Sequence, residues 1–216
     1  MNEDNINPGK LVVISGPSGS GKGTVIKELF NLNEYKYSVS ATTRSPRIGE
    51  KNGLDYYFLT TEEFLKKISD GDMLEYVEIF GNYYGTLKEP VEKMLNEQYN
   101  VILEIEVDGA LNIKEKFPET IMIFLTPPTY SELEKRLRRR GTESEEIINK
   151  RLEKAKEEIN NIYKYDYLVL NDFNMYKQAA IDINCIVESA KLKQLKPENI
   201  ISQEKSDKFL KDYFTE

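Results

Sequence analysis

The sequence predicts an α/β fold: a parallel-sheet core flanked by helices, carrying a small mostly-β insertion. Three observations predict it. Short continuous apolar runs, beginning with Leu11–Ile14, read as strands buried on both faces, and helical patterns follow them. A glycine-rich turn joins the first run to its helix. Between about residues 38 and 88 the pattern changes to short Tyr- and Phe-rich segments separated by turn signals.

The elements follow in order. Lys10–Ser15 is the first strand, and Val25, Ile26, Leu29 and Phe30 give the next segment one apolar helical face. In the insertion, Tyr56-Tyr57-Phe58, Glu75–Phe80 and Asn82–Gly85 read as strands, with turns at Asn52-Gly53 and Gly81-Asn82 and a helix over about 62–69. Val101–Ile105 returns the chain to the core, and Asp108-Gly109 precedes a helix over about 110–116. Ile121–Leu125 is the next strand, and Pro127-Pro128 precedes a helix over about 130–139. A long amphipathic helix over about 145–163 leads to a strand over 167–170. Residues 191–216 hold six Lys, five acidic residues and no Gly, and read as an exposed helical tail without chemistry of its own.

A length of 216 residues fits one domain, or one core with small mobile subdomains. A net charge of −7 disfavours a dedicated nucleic-acid binder. No apolar run is long enough to span a bilayer, and the acidic start is unlike a signal peptide. The single cysteine, Cys185, excludes an internal disulfide framework and a Cys-only zinc site, and fits a cytoplasmic protein. Histidine is absent, which excludes Ser-His and Cys-His nucleophile pairs and every His-ligated metal. Catalysis must therefore use carboxylates, cations, backbone amides or a bound metal. The lysines are scattered, but the arginines form two islands: Arg44 and Arg47, then Arg136, Arg138, Arg139, Arg140 and Arg151. A guanidinium fork grips phosphate bidentately, so the islands point to two phosphate sites.

The turn after the first strand is Gly16-Pro17-Ser18-Gly19-Ser20-Gly21-Lys22-Gly23-Thr24. Its G-x-x-x-x-G-K spacing lets backbone N–H groups curl around a phosphate at a helix N-terminus, with Lys22 reaching the outer phosphates. The next position, commonly a Ser or Thr that holds Mg²⁺, is Gly23, with Thr24 one step on.

With that loop in place, several longer segments resemble guanylate kinases. These are Ser38 through Glu50 (with Ser40, Thr43, Arg44, Pro46, Arg47), Gly53 through Phe58, Glu75-Tyr76, and Phe80 through Thr86. Arg136 through Glu146 with Lys150-Arg151-Leu152 looks like that family's lid, and Tyr165 through Asp172 like its last core strand. The resemblance covers about residues 10 to 190. It implies the reaction GMP + ATP → GDP + ADP with Mg²⁺. It also implies one P-loop core (about 8–37, 89–135 and 152–190), a GMP-binding subdomain (about 38–88) and a helical lid (about 136–151). Arg44, Arg47, Tyr56 and Tyr84 would hold the GMP phosphate. Glu75, with Glu104 as second acceptor, would take the guanine N1–H and 2-amino protons, and Ser40 and Thr86 would donate to O6. Gly16 through Thr24, Arg136, Arg140 and Asn171 would bind ATP. Lys22, Arg44, Arg136, Arg140 and Arg151 would be the catalytic cations, with Thr24 and Glu106 on the metal, directly or through water.

The implied partners are GMP and ATP, with no nucleic acid or membrane, in a cytoplasmic monomer or homodimer. Phosphoryl transfer to an acceptor that is already anionic needs no strong base, so a chain without histidine is compatible with it. Two alternatives stay open. A guanylate-kinase-like binding module could discard Lys22 and the loop glycines, which this chain keeps. A kinase for another nucleoside monophosphate is disfavoured, for adenine, by Glu75 with Ser40 and Thr86.

Overall fold

The computed structural model describes residues 9–32, 34–79, 81–139, 144–191 and 203–215. In chain order the elements begin with β1 (Leu11–Ser15), α1 (Lys22–Phe30), β2 (Tyr35–Tyr37), β3 (Ala41–Thr42), β4 (Tyr57–Phe58) and α2 (Thr61–Ser69). Then come β5 (Met73–Ile79), β6 (Asn82–Leu87), α3 (Lys88–Asn96), β7 (Asn100–Glu104), α4 (Val107–Lys116) and β8 (Ile121–Thr126). The last are α5 (Tyr130–Arg139), α6 (Glu145–Ile159), a short 3₁₀ turn (Ile162–Lys164), β9 (Tyr167–Leu170), α7 (Tyr176–Lys191) and α8 (Gln203–Thr215). The described residues form two compact units: those within 9–11, 34–103 and 108–120, and those within 12–32, 104–107 and 121–215.

In the first unit, four strands form a sheet in the order β4-β3-β6-β5. β5 and β6 are antiparallel, pairing Glu75 with Thr86 and Val77 with Tyr84. β3 lies antiparallel to β6 and parallel to β4. One face is sealed by α2, whose Phe64 is fully buried with Ala41 and Met73 and stacks on Tyr83 at 5.5 Å. The start of α2 is fixed locally. The Thr60 hydroxyl accepts the Glu63 N–H at 3.1 Å, while the Glu63 carboxylate accepts the Thr60 N–H at 2.8 Å. This reciprocal cap satisfies two backbone donors that a helix start otherwise leaves open. The same unit holds the parallel pair β2 and β7, and the Val101 N–H donates to the Lys10 carbonyl at 2.8 Å.

In the second unit, β8 runs parallel to β1 on one side and to β9 on the other. All six β8 residues are buried, which explains why its sequence is an unbroken apolar run. α1 buries Val25, Ile26 and Leu29; α6 buries Ile148, Leu152, Ala155 and Ile159; α7 buries Ala179, Ala180, Ile183, Ile186 and Val187. Among the described residues, no helix is long and apolar enough to cross a membrane.

The structure corrects several expectations. The helix expected from Ala110 begins at Val107, taking Asp108 and Gly109 into its first turn, where a carboxylate complements the helix dipole. The helix expected to reach Tyr163 stops at Ile159. The expected strand Glu75–Phe80 runs Met73–Ile79, and Phe80 lies outside the described residues. The exposed tail is corrected within α8: Tyr213 is only 1% exposed and shares a 3.3 Å hydrogen bond with the Thr126 hydroxyl. Counting charges in this segment hides Phe209 and Tyr213, four apart on one helical face, and Phe214 beside them.

Phe64→Ala should destabilise the protein by about 3–5 kcal/mol, because removing the ring opens a cavity beside Ala41, Met73 and Tyr83. Urea unfolding of the variant beside the parent checks this; a loss under about 1 kcal/mol would contradict the burial of Phe64.

Candidate active site

The second unit carries the phosphate loop between β1 and α1. Gly16 adopts φ +147°, and a Cβ there would lie 2.0 Å from the Leu125 carbonyl oxygen of β8. Gly21 adopts φ +89°, and a Cβ there would lie 2.4 Å from the Asn171 Nδ2. Both positions therefore demand glycine by backbone angle and by close approach. Asn171, buried just after β9, donates Nδ2–H to the Ser20 carbonyl at 2.8 Å and so pins the loop from outside. Lys22 Nζ turns back over the loop and donates to the Gly16 carbonyl at 2.5 Å and the Pro17 carbonyl at 3.3 Å. At Gly23 a Cβ would meet nothing within 4 Å, so packing does not impose glycine there.

Cations and carboxylates surround this loop. Arg151 of α6 donates Nη1–H to the Ser18 hydroxyl at 2.9 Å. Arg136 of α5 is held by Glu132, one helical turn back, at 2.8 Å. Glu104, at the end of β7, has its carboxyl pushed up by burial and drawn partly back by Lys22. Glu106 accepts from Lys154 at 2.7 Å. Glu158 of α6 is pushed up to about 7, first by burial, against the pull of Lys154 and Lys22.

The first unit carries a second cluster, on its four-stranded sheet. Glu75 is 2% exposed, and the Thr86 hydroxyl opposite it donates to Oε1 at 2.7 Å. Burial pushes its carboxyl up to about 7, although the Thr86 hydrogen bond and Lys116 both pull it down. Arg44 forms a two-pronged pair with Glu50, at 3.0 and 2.9 Å, and donates to the Ser45 carbonyl at 2.7 Å. Its guanidinium lies 5.4 Å from the Tyr56 ring centre and 5.8 Å from that of Phe58. Tyr56 meets Tyr84 edge-on at 6.2 Å. Glu50 also accepts the Arg47 backbone N–H at 2.7 Å. Tyr84 and Thr86 are two apart on β6, so their side chains share a face about 7 Å apart along the strand.

Comparison with known proteins shows the family of the chain. A family model described as "Guanylate kinase" matches residues 8–190. The chain belongs to the guanylate kinase family. It is 46% identical over 202 residues to a guanylate kinase of Clostridium perfringens, covering 93% of each chain. With a guanylate kinase of Streptococcus pneumoniae it shares 51% over 183 residues, covering 84% of this chain and 87% of the other. The crystal structure of guanylate kinase from Anaplasma phagocytophilum superposes with a TM-score of 0.68 at 33% identity, covering 93% of this chain and 94% of that one.

Set beside the guanylate kinase expectations, the structure brings Arg44, Tyr56 and Tyr84 together in one cluster and Glu75 and Thr86 in another on the same sheet. Thr86, expected to donate to the guanine O6, gives its one hydroxyl proton to Glu75. Asn171, expected at the ATP, spends its amide on the loop backbone. Ser40 sits half-buried beside β3, its carbonyl accepting the Tyr57 N–H at 2.8 Å; the Arg47 side chain is exposed. Glu104 belongs to the second unit, with Lys22 as its charged neighbour. Arg140 lies outside the described residues. Arg138 pairs with Glu134 and Glu145 on an exposed face.

For a metal, Thr24 offers an exposed hydroxyl and Glu106 a carboxylate that Lys154 already engages. Among the described residues, no cluster of three or more metal-binding side chains exists. Such sparse oxygen donors fit a cation carried in by nucleotide phosphates and water, as Mg²⁺ usually is, rather than a protein cage. Sequence reasoning missed Glu50 and Glu158 as participants. Glu50 stood within reach, since a carboxylate six residues from Arg44 on one loop is the simplest partner for it.

Because Glu75 titrates in the folded state at about 7 and near 4.5 when unfolded, the native protein holds an extra proton between those values. Its stabilising share is therefore full below the unfolded value and lost as pH rises through about 7. Glu75→Gln should match the parent near pH 4 and exceed it by up to about 3 kcal/mol near pH 8 in urea unfolding. A difference that does not change with pH would refute the buried, raised carboxyl.

Proposed function

We propose that this chain transfers the terminal phosphoryl group of ATP to the 5′-phosphate of GMP, giving GDP and ADP. The observation that carries this reading is Glu75. It is a buried carboxylate fixed by a hydroxyl, on the same sheet that bears the Arg44–Tyr56–Tyr84 cluster. An ionised carboxylate accepts both the N1–H and the 2-amino protons of guanine, and adenine presents neither. A site built around such a group rejects a ligand lacking the donors by about 10⁴-fold. Ser40 then serves the guanine O6, and Thr86 aims Glu75. Arg44, oriented by Glu50, and the phenols of Tyr56 and Tyr84 grip the acceptor phosphate, with Arg47 joining from its exposed position.

ATP sits with its phosphates in the curl of Gly16 through Thr24, held in shape by Asn171. Lys22 and Arg151, both already at the loop, and Arg136 meet the negative charge on the moving phosphoryl group. Arg140 completes the set by its place in the lid sequence. Each charge-assisted contact of this kind contributes about 1.5–3 kcal/mol. The nucleophile is an oxygen of the GMP phosphate, already anionic near neutral pH, so no side chain need remove a proton. Thr24 and Glu106, directly or through water, would hold the Mg²⁺ that accompanies ATP, and the ion would supply neutralisation of phosphate charge. We place the enzyme in the cytoplasm.

The test is a coupled ADP-release assay with ATP, Mg²⁺ and GMP, AMP, CMP or UMP in turn. Turnover is expected with GMP at least about 10³-fold above the others. No release above background with GMP would sink the proposal. Glu75→Gln should raise the KM for GMP by about 10²-fold or more while leaving that for ATP within about threefold. An equal loss for both substrates would remove Glu75 from the guanine site.

A further inference from the structure

The C-terminal helix α8 lies past residue 190, where the match to the family model ends. We propose that α8 is a positioning element for the ATP half of the site: by docking Tyr213 and Phe214 on Tyr130, it fixes where α5 carries Arg136 over the phosphate loop. The inference rests on the proposed assignment of Arg136 and the loop to ATP.

Four contacts connect the tail to the loop. First, α8 is anchored. The Tyr213 side chain is 1% exposed, its hydroxyl lies 3.3 Å from the Thr126 Oγ1 at the end of β8, and Phe209 packs on its ring at 5.1 Å. Second, that anchored face meets Tyr130, the first residue of α5. Tyr213 approaches the Tyr130 ring at 6.3 Å and 75°, and Phe214 approaches it at 5.5 Å. Third, Tyr130 also ties α5 to α6. Its hydroxyl donates to the Leu152 carbonyl at 3.3 Å, one residue from Arg151, and Lys156 Nζ sits 5.4 Å from its ring centre. Fourth, the buried face of α5 rests on the loop. A Cβ on Gly19 would lie 3.1 Å from Leu137 and 3.2 Å from Leu133, so these leucines touch the loop where it bends.

Arg136 sits between those two leucines in sequence and turns with them. Rotation or withdrawal of the α5 N-terminus therefore moves the guanidinium and loosens the cover on Gly19 together. Misplacement of a catalytic group by about 1 Å can cost about 10²-fold in rate. The GMP-side cluster belongs to the other unit, and none of these contacts involves it. A brace of this kind therefore acts on the ATP parameters selectively, whereas general loss of folded protein lowers turnover without favouring one substrate.

The experiment compares the parent with Tyr213→Ala, Tyr213→Phe, Phe214→Ala and Arg136→Ala in steady state, varying ATP and GMP separately at a temperature where circular dichroism shows each folded. Tyr213→Ala is expected to raise the KM for ATP by about tenfold or more, beyond any fall in kcat, with the KM for GMP within about twofold. Tyr213→Phe keeps the ring that meets Tyr130 and should recover the ATP parameters to within about threefold. Phe214→Ala removes a ring that is 42% exposed, so it keeps the buried anchor, and it should show the same ATP-selective loss at about threefold. If Tyr213→Ala fails to fold, Phe214→Ala decides. An unchanged KM for ATP in the folded variants, or equal rises in KM for the two substrates, overturns the brace. If Arg136→Ala lowers turnover while the α8 variants do not, only the brace falls. If Arg136→Ala is also without effect, the ATP-site reading beneath it falls.

Discussion

At Gly16 and Gly21 of the phosphate loop there is no room for a side chain, and at Gly19 there is little. To turn backbone N–H groups inward the chain must take positive φ angles, and the same curvature draws neighbours against its outer side. β8 presses a carbonyl against Gly16, α5 lays two leucines on Gly19, and Asn171 reaches Gly21. Each of these neighbours is itself part of the second unit's core. Packing in that unit thus converges on a segment whose own contribution is the absence of Cβ atoms. The loop's shape is set by the elements that crowd it, and one of them, α5, carries Arg136.

The first unit answers a different demand. A carboxylate that discriminates one purine must be dry enough for its hydrogen bonds to matter, and dryness penalises its charge. Thr86 and Lys116 offset that penalty only in part, which leaves the Glu75 carboxyl near neutrality. A ligand supplying two N–H donors would complete the compensation. The same burial that costs stability in the free protein would make a guanine site built on Glu75 depend on the correct base. Arg44 shows the opposite arrangement. Its charge is already matched by Glu50 and spread over two aromatic rings, so it stands oriented at little cost.

Much of this was legible in the sequence because the signals were local. Leu11–Ile14 and Ile121–Leu125 read as buried parallel strands for the reason that β8 is buried at every position. Gly16 through Thr24 declared its turn by composition. What stayed hidden depended on partners distant in the chain. Asn171 could be expected near the nucleotide, but its bond to Ser20 crosses 151 positions. Glu158 looked like any acid on a helix until burial beside Lys154 and Lys22 singled it out. Tyr213 sat in a segment whose charges suggested solvent, and only the Thr126 hydroxyl and the Tyr130 ring give it an interior.

The placement of the two clusters along the chain has a hereditary consequence. The residues proposed to choose and grip the acceptor, from Ser40 to Thr86, form one uninterrupted stretch, whereas those proposed for the donor are dispersed from Gly16 to Asn171. A single genetic recombination between relatives could therefore replace the acceptor-reading surface whole while leaving the phosphate loop and its surrounding core untouched. No single exchange of comparable length could do the reverse. Acceptor preference in such a scaffold can be inherited as a block, and the machinery that activates ATP must be inherited with the rest of the chain.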